Sequence, residues 1–197
     1  MEVYFTNPWA MIEDGAIWTL DSTNLVDPIR KFPNWPWLQY IAGKWMDEPL
    51  MAVVKSRRMT VTWLMVFLHL WMAMFREGAS VFFVCDKEEK SDIMLDMAEF
   101  IYKYIPDDMM LKSRMKRSYC WLEFPGLNSY IKGVAIGADQ LRLFTATAIL
   151  ADEFAFWERA RETFMASKPT IEGGGKFTAI SSPQVGFFKD VCFDLIR

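Results

Sequence analysis

Three short stretches, far apart in the chain, carry side chains able to work on a phosphate. The first is KSRRMTVT, residues Lys55 to Thr62. The apolar pair Val53-Val54 runs into this basic, hydroxyl-bearing turn and a long apolar segment follows, which is the order in which phosphate-binding loops occur. The common loop sets its lysine directly before a Ser or Thr that reaches Mg2+. Here Thr62 has the hydroxyl position, but Val61 stands where that lysine would be. A cation at the front of the loop can serve the same oxygens, because the requirement is proximity and not chain order. Two readings stay open for Lys55, Arg57 and Arg58: a phosphate cradle, or a solvated basic turn ahead of a buried helix.

The second stretch is TAILADEFAFW, where apolar residues run straight into Asp152-Glu153 at the expected carboxyl end of a buried strand. Ligands of open parallel sheets bind at that end. Neighbouring side chains at a strand end diverge, so Asp152 can hold Mg2+ while Glu153 orients and deprotonates an attacking water. The plain alternative is a strand ending in a solvated acidic turn. The third stretch is GGGKFTAISSP, whose strand ends in Ser181-Ser182. Small hydroxyls there can hydrogen-bond a γ-phosphate or the attacking water, although S-S-P also ends many ordinary strands.

The elements that must position these residues are legible as a repeated strand–helix alternation. A helix is expected from Trp35 through WLQYIAGKW, then a turn at Asp47-Glu48-Pro49 and a short buried strand, Leu50–Val54. MTVTWLMVFLHLWMAMF, residues 59–75, reads as a helix apolar on all sides, with His69 a core residue. Its 17 residues also sit at the short limit for a membrane span. SVFFVCD (80–86) is a second buried strand, and 87–104 an amphipathic helix stopped by Pro106. SYCWLEF and NSYIKGVAI suggest a hairpin about Pro125-Gly126. TATAILADE, FWERARETFMAS and KFTAISSP then read as strand, helix and strand. Residues 1–34 form an irregular or partly helical lead-in. The fold class is therefore α/β, a central and mostly parallel sheet with helices on both faces.

Totals agree. At 197 residues, with 52% apolar and 16% aromatic residues, the chain can bury a substantial core. A net charge of −3 means any nucleic-acid contact must come from a local patch, for which LKSRMKRSY (Lys112, Arg114, Lys116, Arg117) is the candidate, or else a solvated loop. Cys85, Cys120 and Cys192 lie far apart, and with a single histidine a structural zinc site is hard to assemble. Cys85 and Cys120, in apolar surroundings, read as core residues. An odd cysteine count and no signal peptide point to a reducing cytosol.

The order of parts resembles the ATPase domain of the tailed-phage large terminase, the motor that packages viral DNA. The resemblance spans roughly Trp35 to the C-terminus, and ILADEFAFW followed by KPTIEGGGKFTAISSP carries most of it. It implies a P-loop NTPase of the RecA-like, additional-strand catalytic-glutamate type, in residues 35–197, that hydrolyses Mg-ATP. Some large terminases have a deviant phosphate loop whose lysine opens a K-S-x-R pattern, matched by Lys55, Ser56, Arg58 and Thr62. On that resemblance Lys55, Ser56, Arg57, Arg58, Met59, Thr60, Val61 and Thr62 form the nucleotide loop, with Thr62 and Asp152 on Mg2+. Glu153 is the catalytic glutamate, and Ser181 and Ser182 couple hydrolysis to movement. Thr60 departs from the glycine that the family prefers there. FPNWPWLQYI resembles the adenine-side motif, so that Gln39 would read the base; otherwise it is a surface glutamine. Arg142 resembles an arginine finger, although Arg-Leu replaces the usual Arg-Gly, and an ordinary loop arginine is the other reading.

The partners implied are double-stranded DNA, the portal protein of the procapsid, the small terminase subunit and further copies of the chain in a ring. The host cell cytoplasm is the implied location, with no membrane. Large terminases continue into a nuclease domain, for which Arg197 leaves no room, so no DNA cleavage is expected. A helicase-type translocase and a nucleotide-binding assembly module with little hydrolysis are the rival expectations.

Overall fold

The computed structural model of the chain describes residues 2–57, 59–107, 114–136 and 146–193. Two short helices open it, α1 (Glu2–Thr6) and α2 (Trp9–Glu13), followed by an antiparallel hairpin of β1 (Trp18–Leu20) and β2 (Ile29–Lys31). The expected helix follows as α3 (Pro36–Asp47), with Pro36 at its first position where a missing N–H costs nothing. Then come β3 (Leu50–Val54), α4 (Val61–Phe75), β4 (Ser80–Cys85) and α5 (Glu88–Tyr104). A meander of β5 (Lys116–Ser118), β6 (Trp121–Phe124) and β7 (Ser129–Ala135) precedes β8 (Ala148–Asp152). The described part ends with α6 (Ala160–Glu172), β9 (Lys176–Ser181) and α7 (Phe187–Cys192).

Seven strands form one sheet in the order β3-β9-β8-β4-β7-β6-β5. The first five are mutually parallel; β6 runs antiparallel to β7, and β5, antiparallel to β6, returns to the direction of the first five. β9, last of the strands in sequence, inserts between the strand leading to Lys55 and the strand ending at Asp152, which is the additional-strand arrangement. Alternate residues of β4 divide between two cores, as a period of two requires. Val81, Phe83 and Cys85 join the core under α2–α5, whereas Phe82 and Val84 join the one under α6 and α7. α4 is buried on nearly its whole circumference because it touches α3, α5 and the strands β4, β7 and β8 at once. At 15 residues it is too short to span a bilayer, and among the described residues no helix is long and apolar enough to do so.

Several expectations change. β3 is not buried: it lies at the sheet edge and its five residues are exposed or half-buried, since it has a strand neighbour on one side only. The lead-in is more ordered than its weak periodicity suggests, for Trp9, Met11, Ile12 and Ile17 all pack into the core beneath α4. Part of the basic run is strand, not loop. Arg117 in β5 bonds Asp92 and Asp96 of α5 at 2.7 and 2.8 Å, and Lys116 lies 3.3 Å from Glu123, so two of those cations are occupied by acids. Cys85 is buried as expected, but Cys120 is only half-buried, its Sγ 3.8 Å from Ser91 Oγ and 3.6 Å from the Glu88 carbonyl.

Candidate active site

Register decides what meets at the carboxyl edge of the sheet. Val54 pairs with Ser181, and Asp152 pairs with Ile180, so the ends of β3, β9 and β8 lie side by side. The residues just past those ends are Lys55, Ser182 and Glu153. The Lys55 N–H continues the ladder by donating to the Ser181 carbonyl at 2.9 Å, which fixes where its side chain leaves the backbone.

From there the Lys55 ammonium reaches the acids. Its Nζ donates to Glu153 Oε1 at 2.8 Å, across 98 residues of sequence, and lies 3.7 Å from Asp152 Oδ1. The lysine side chain is 10% exposed, against 18% for Asp152 and 44% for Glu153, so the contact grades from a dry end at Asp152 to a wet one at Glu153. Glu153 sits at φ 50°, ψ 39°, a left-handed conformation that costs a residue with a Cβ about 1–2 kcal/mol. That turn ends β8, starts the 3-10 turn Phe154–Phe156, and sends the carboxylate back over β9. Its Oε2 accepts the Ser181 hydroxyl at 3.3 Å and the Ser182 N–H at 3.4 Å. Strain of this kind collects at working sites and persists where the surroundings over-determine it.

The two acids are driven apart electrostatically. Burial opposes the charged form of Glu153, yet the hydrogen bond and charge of Lys55, with those from Ser182 and Ser181, hold its carboxyl below the usual range. Burial dominates at Asp152 and raises it, with the Glu153 charge adding to the effect and Lys55 only partly offsetting it. Asp152 Oδ1 also accepts the Glu153 N–H at 3.0 Å, so its orientation is set by the same turn.

The loop between β3 and α4 is placed in parts. Ser56, Arg57 and Met59 are exposed, Thr60 and Thr62 are half-buried, and Val61 is 2% exposed in the core. The usual lysine position thus faces the interior, and the cation that reaches the acids is Lys55, at the front of the loop. Thr60, where a glycine was the expected preference, has φ 59° and ψ 6° as the residue that caps α4. Arg58 and Arg142 lie outside the described residues, as does Lys112. Gln39, in the first half of α3, is exposed, and its Nε2 lies 3.4 Å from Glu13 Oε1.

Two supporting groups had no assigned role in the sequence reading. Trp157 Nε1 donates to the Asp152 carbonyl at 3.1 Å, and the Ala155 N–H donates to Ser181 Oγ at 3.1 Å. The aromatic run FAFW after the acids was their only sequence signal.

Among the described residues no group of three or more His, Cys, Asp or Glu forms a metal cluster. A single largely buried carboxylate such as Asp152 suits Mg2+ that arrives bound to phosphates and keeps most of its waters, and does not suit a resident protein cage.

No family model and no curated protein matches the chain. Solved structures do. The large terminase of bacteriophage HK97 superposes with a TM-score of 0.69 at 14% identity, covering 94% of this chain and 39% of that one. The ATPase domain of the Thermus phage P74-26 large terminase gives 0.53 at 14% identity, over 72% of this chain and 62% of that one. A mutant of that domain gives 0.53 at 12%, with the same coverage. The chain therefore spans under two thirds of the length of each of these structures. Its α/β fold, a mixed and mostly parallel seven-stranded sheet, is that of the phage large terminase ATPase domains.

Proposed function

We propose that the chain is the ATPase domain of a viral DNA-packaging terminase large subunit, hydrolysing Mg-ATP to drive double-stranded DNA into a procapsid. The observation that carries this reading is the Lys55–Glu153 contact of 2.8 Å with Asp152 beside it, made across the tip of β9 in a terminase-type fold.

Within the site the Lys55 ammonium is paired with Glu153. A triphosphate entering between the loop and the strand tips competes with Glu153 for the Lys55 ammonium, and its greater negative charge draws the lysine onto β- and γ-oxygens. Ser56, Arg57 and the first amides of α4 complete the cradle. Asp152 and Thr62 would hold the Mg2+ that accompanies ATP, which neutralises charge on the β- and γ-oxygens. Glu153, released from Lys55 but still tethered by Ser181 and Ser182, accepts a proton from the attacking water. The water oxygen bonds to the γ-phosphorus as the bond to the β,γ-bridging oxygen breaks. ADP leaves, and the proton passes from Glu153 to the phosphate product. Loss of γ-phosphate changes what Ser181 and Ser182 bond, and β9 transmits that change. The portal protein, the small terminase subunit and a ring of further copies are the partners of such a motor.

Turnover and ATP affinity of the wild type, Glu153→Gln and Lys55→Ala test this. Glu153→Gln is expected to retain ATP binding and lose at least 100-fold in turnover, about the scale of a positioned general base. Lys55→Ala is expected to lose binding of both ATP and inorganic tripolyphosphate. A wild type as inert as Glu153→Gln, with ATP still bound, would favour a nucleotide-binding assembly module.

A further inference from the structure

A triphosphate held at the strand tips leaves its nucleoside to be housed elsewhere, and a cleft begins where the loop ends. Its volume is about 380 Å3, and its walls include Asp21, Ser22, Thr23 and Arg30 of the β1–β2 hairpin together with Thr60 and Trp63 of the loop and α4. Lys55 and Thr60 stand at opposite ends of the loop. Thr60 belongs to both the loop and the cleft wall, so a nucleotide whose phosphates lie along the loop meets the cleft at Thr60 and Trp63.

The cleft is built rather than incidental. Asp21 is held from three directions: Arg30 Nη2 at 2.9 Å, the Thr23 N–H at 3.1 Å and the Thr23 hydroxyl at 2.7 Å. The Trp63 ring is fixed edge-to-face on Phe100 at 5.7 Å; Phe100 stacks on Tyr104 at 4.5 Å, and Tyr104 meets Trp18 at 5.9 Å. One aromatic chain thus runs from the hairpin through α5 to the start of α4. It sets the distance between the polar hairpin turn and the indole.

We infer that this cleft is the nucleoside subsite of the proposed ATP site, with the base against Trp63 and the ribose hydroxyls on the Asp21–Thr23 turn and Arg30. An indole face suits any base, because stacking uses the π-surface and not the edge. A carboxylate held by an arginine on one oxygen and by a threonine hydroxyl on the other offers the acceptors that a sugar diol requires. Gln39 offers less, being exposed and engaged with Glu13. The inference rests on the phosphate assignment and adds the half of the ligand which that assignment leaves out.

Calorimetric titration of the full chain with ATP and, separately, with inorganic tripolyphosphate separates the two claims. Trp63→Leu and Arg30→Ala are the variants, with Lys55→Ala as the phosphate-side reference and circular dichroism as the check on folding. Arg30 is half-exposed, so its variant reports even if Trp63→Leu does not fold. The subsite predicts that each variant weakens ATP about tenfold, the scale of one stacked base, while tripolyphosphate binding stays within about twofold of wild type. ATP affinity unchanged in both, or both ligands weakened alike, with Lys55 still essential, overturns the subsite and leaves the phosphate site standing. If the wild type binds neither ligand, the phosphate site falls and the subsite with it.

Discussion

Thr60 begins a buried helix from a backbone conformation that β-branched residues rarely adopt, φ 59° and ψ 6°. The loop needs that turn so that Val61 can enter the core while the preceding residues remain outside. A Cβ in the left-handed region costs about 1–2 kcal/mol, and glycine in its place gives back about half of that in chain entropy. Thr60→Gly should therefore raise stability by about 0.5–1 kcal/mol, read as a higher urea midpoint with an unchanged slope. Glu153 is strained in the same sense, but its case is different. Its turn is held by Lys55, Ser181 and Ser182, and its side chain is the candidate base, so relief there removes the chemistry along with the strain.

At the level of elements, α4 carries a fully buried titratable group. His69 is fully buried, its Nδ1 2.7 Å from the Met65 carbonyl and its ring 5.2 Å from that of Trp45. Burial pushes its pKa down from 6.5 to about 4, against the opposing pull of the Met65 carbonyl. Because the folded value is the lower one, the unfolded chain binds the proton first on acidification. The stability that this group confers is complete above pH 6.5, erodes as pH falls and is gone below pH 4. The difference amounts to about 3 kcal/mol. Denaturant titrations between pH 7 and 4 should show a shallower pH slope for His69→Gln than for the wild type.

Elements also differ in how plainly the sequence announces them. β4, β8 and β9 are buried on both faces, and their unbroken apolar runs can be read directly. β1 and β2 cannot be read in the same way, because three-residue strands carry too little alternation to exceed the noise of a loop. The turn chemistry between them, D-S-T-N and then D-P, was the available signal. β3 looks buried from its residues alone, since Leu-Met-Ala-Val-Val does not state how many neighbours the strand has. α7 gives little warning in six residues. At the site, the residue types were legible, but two things were not. No local pattern says that Lys55 and Glu153 touch, since that depends on β9 separating their strands. Nor does any pattern tie Trp63 to Asp21, whose shared cleft depends on the packing of α5.

At the scale of the whole molecule, the sheet separates two cores of unequal size, and the smaller lies behind the acids. Phe154, directly after Glu153, is fully buried there and meets Trp157 and Phe188 edge-to-face, with ring centroids 5.0 and 6.0 Å away. Phe177 of β9 adds a third edge contact at 5.8 Å. One ring therefore anchors the acidic turn, α7 and β9 together. Phe154→Ala should cost about 3–5 kcal/mol through the cavity that it leaves. Thermal melts of this variant should still be a single transition at a lower midpoint, since both cores share the same strands.

The strand leading to Lys55 is the outermost of its sheet and has a single lateral companion, the strand that ends in Ser181. No third strand shares a load placed on that seam among the described residues. A pull on the backbone at one tip is therefore felt at the other. The ammonium and the hydroxyl that meet on Glu153 travel as a pair, so whatever displaces one has already begun to move its counterpart.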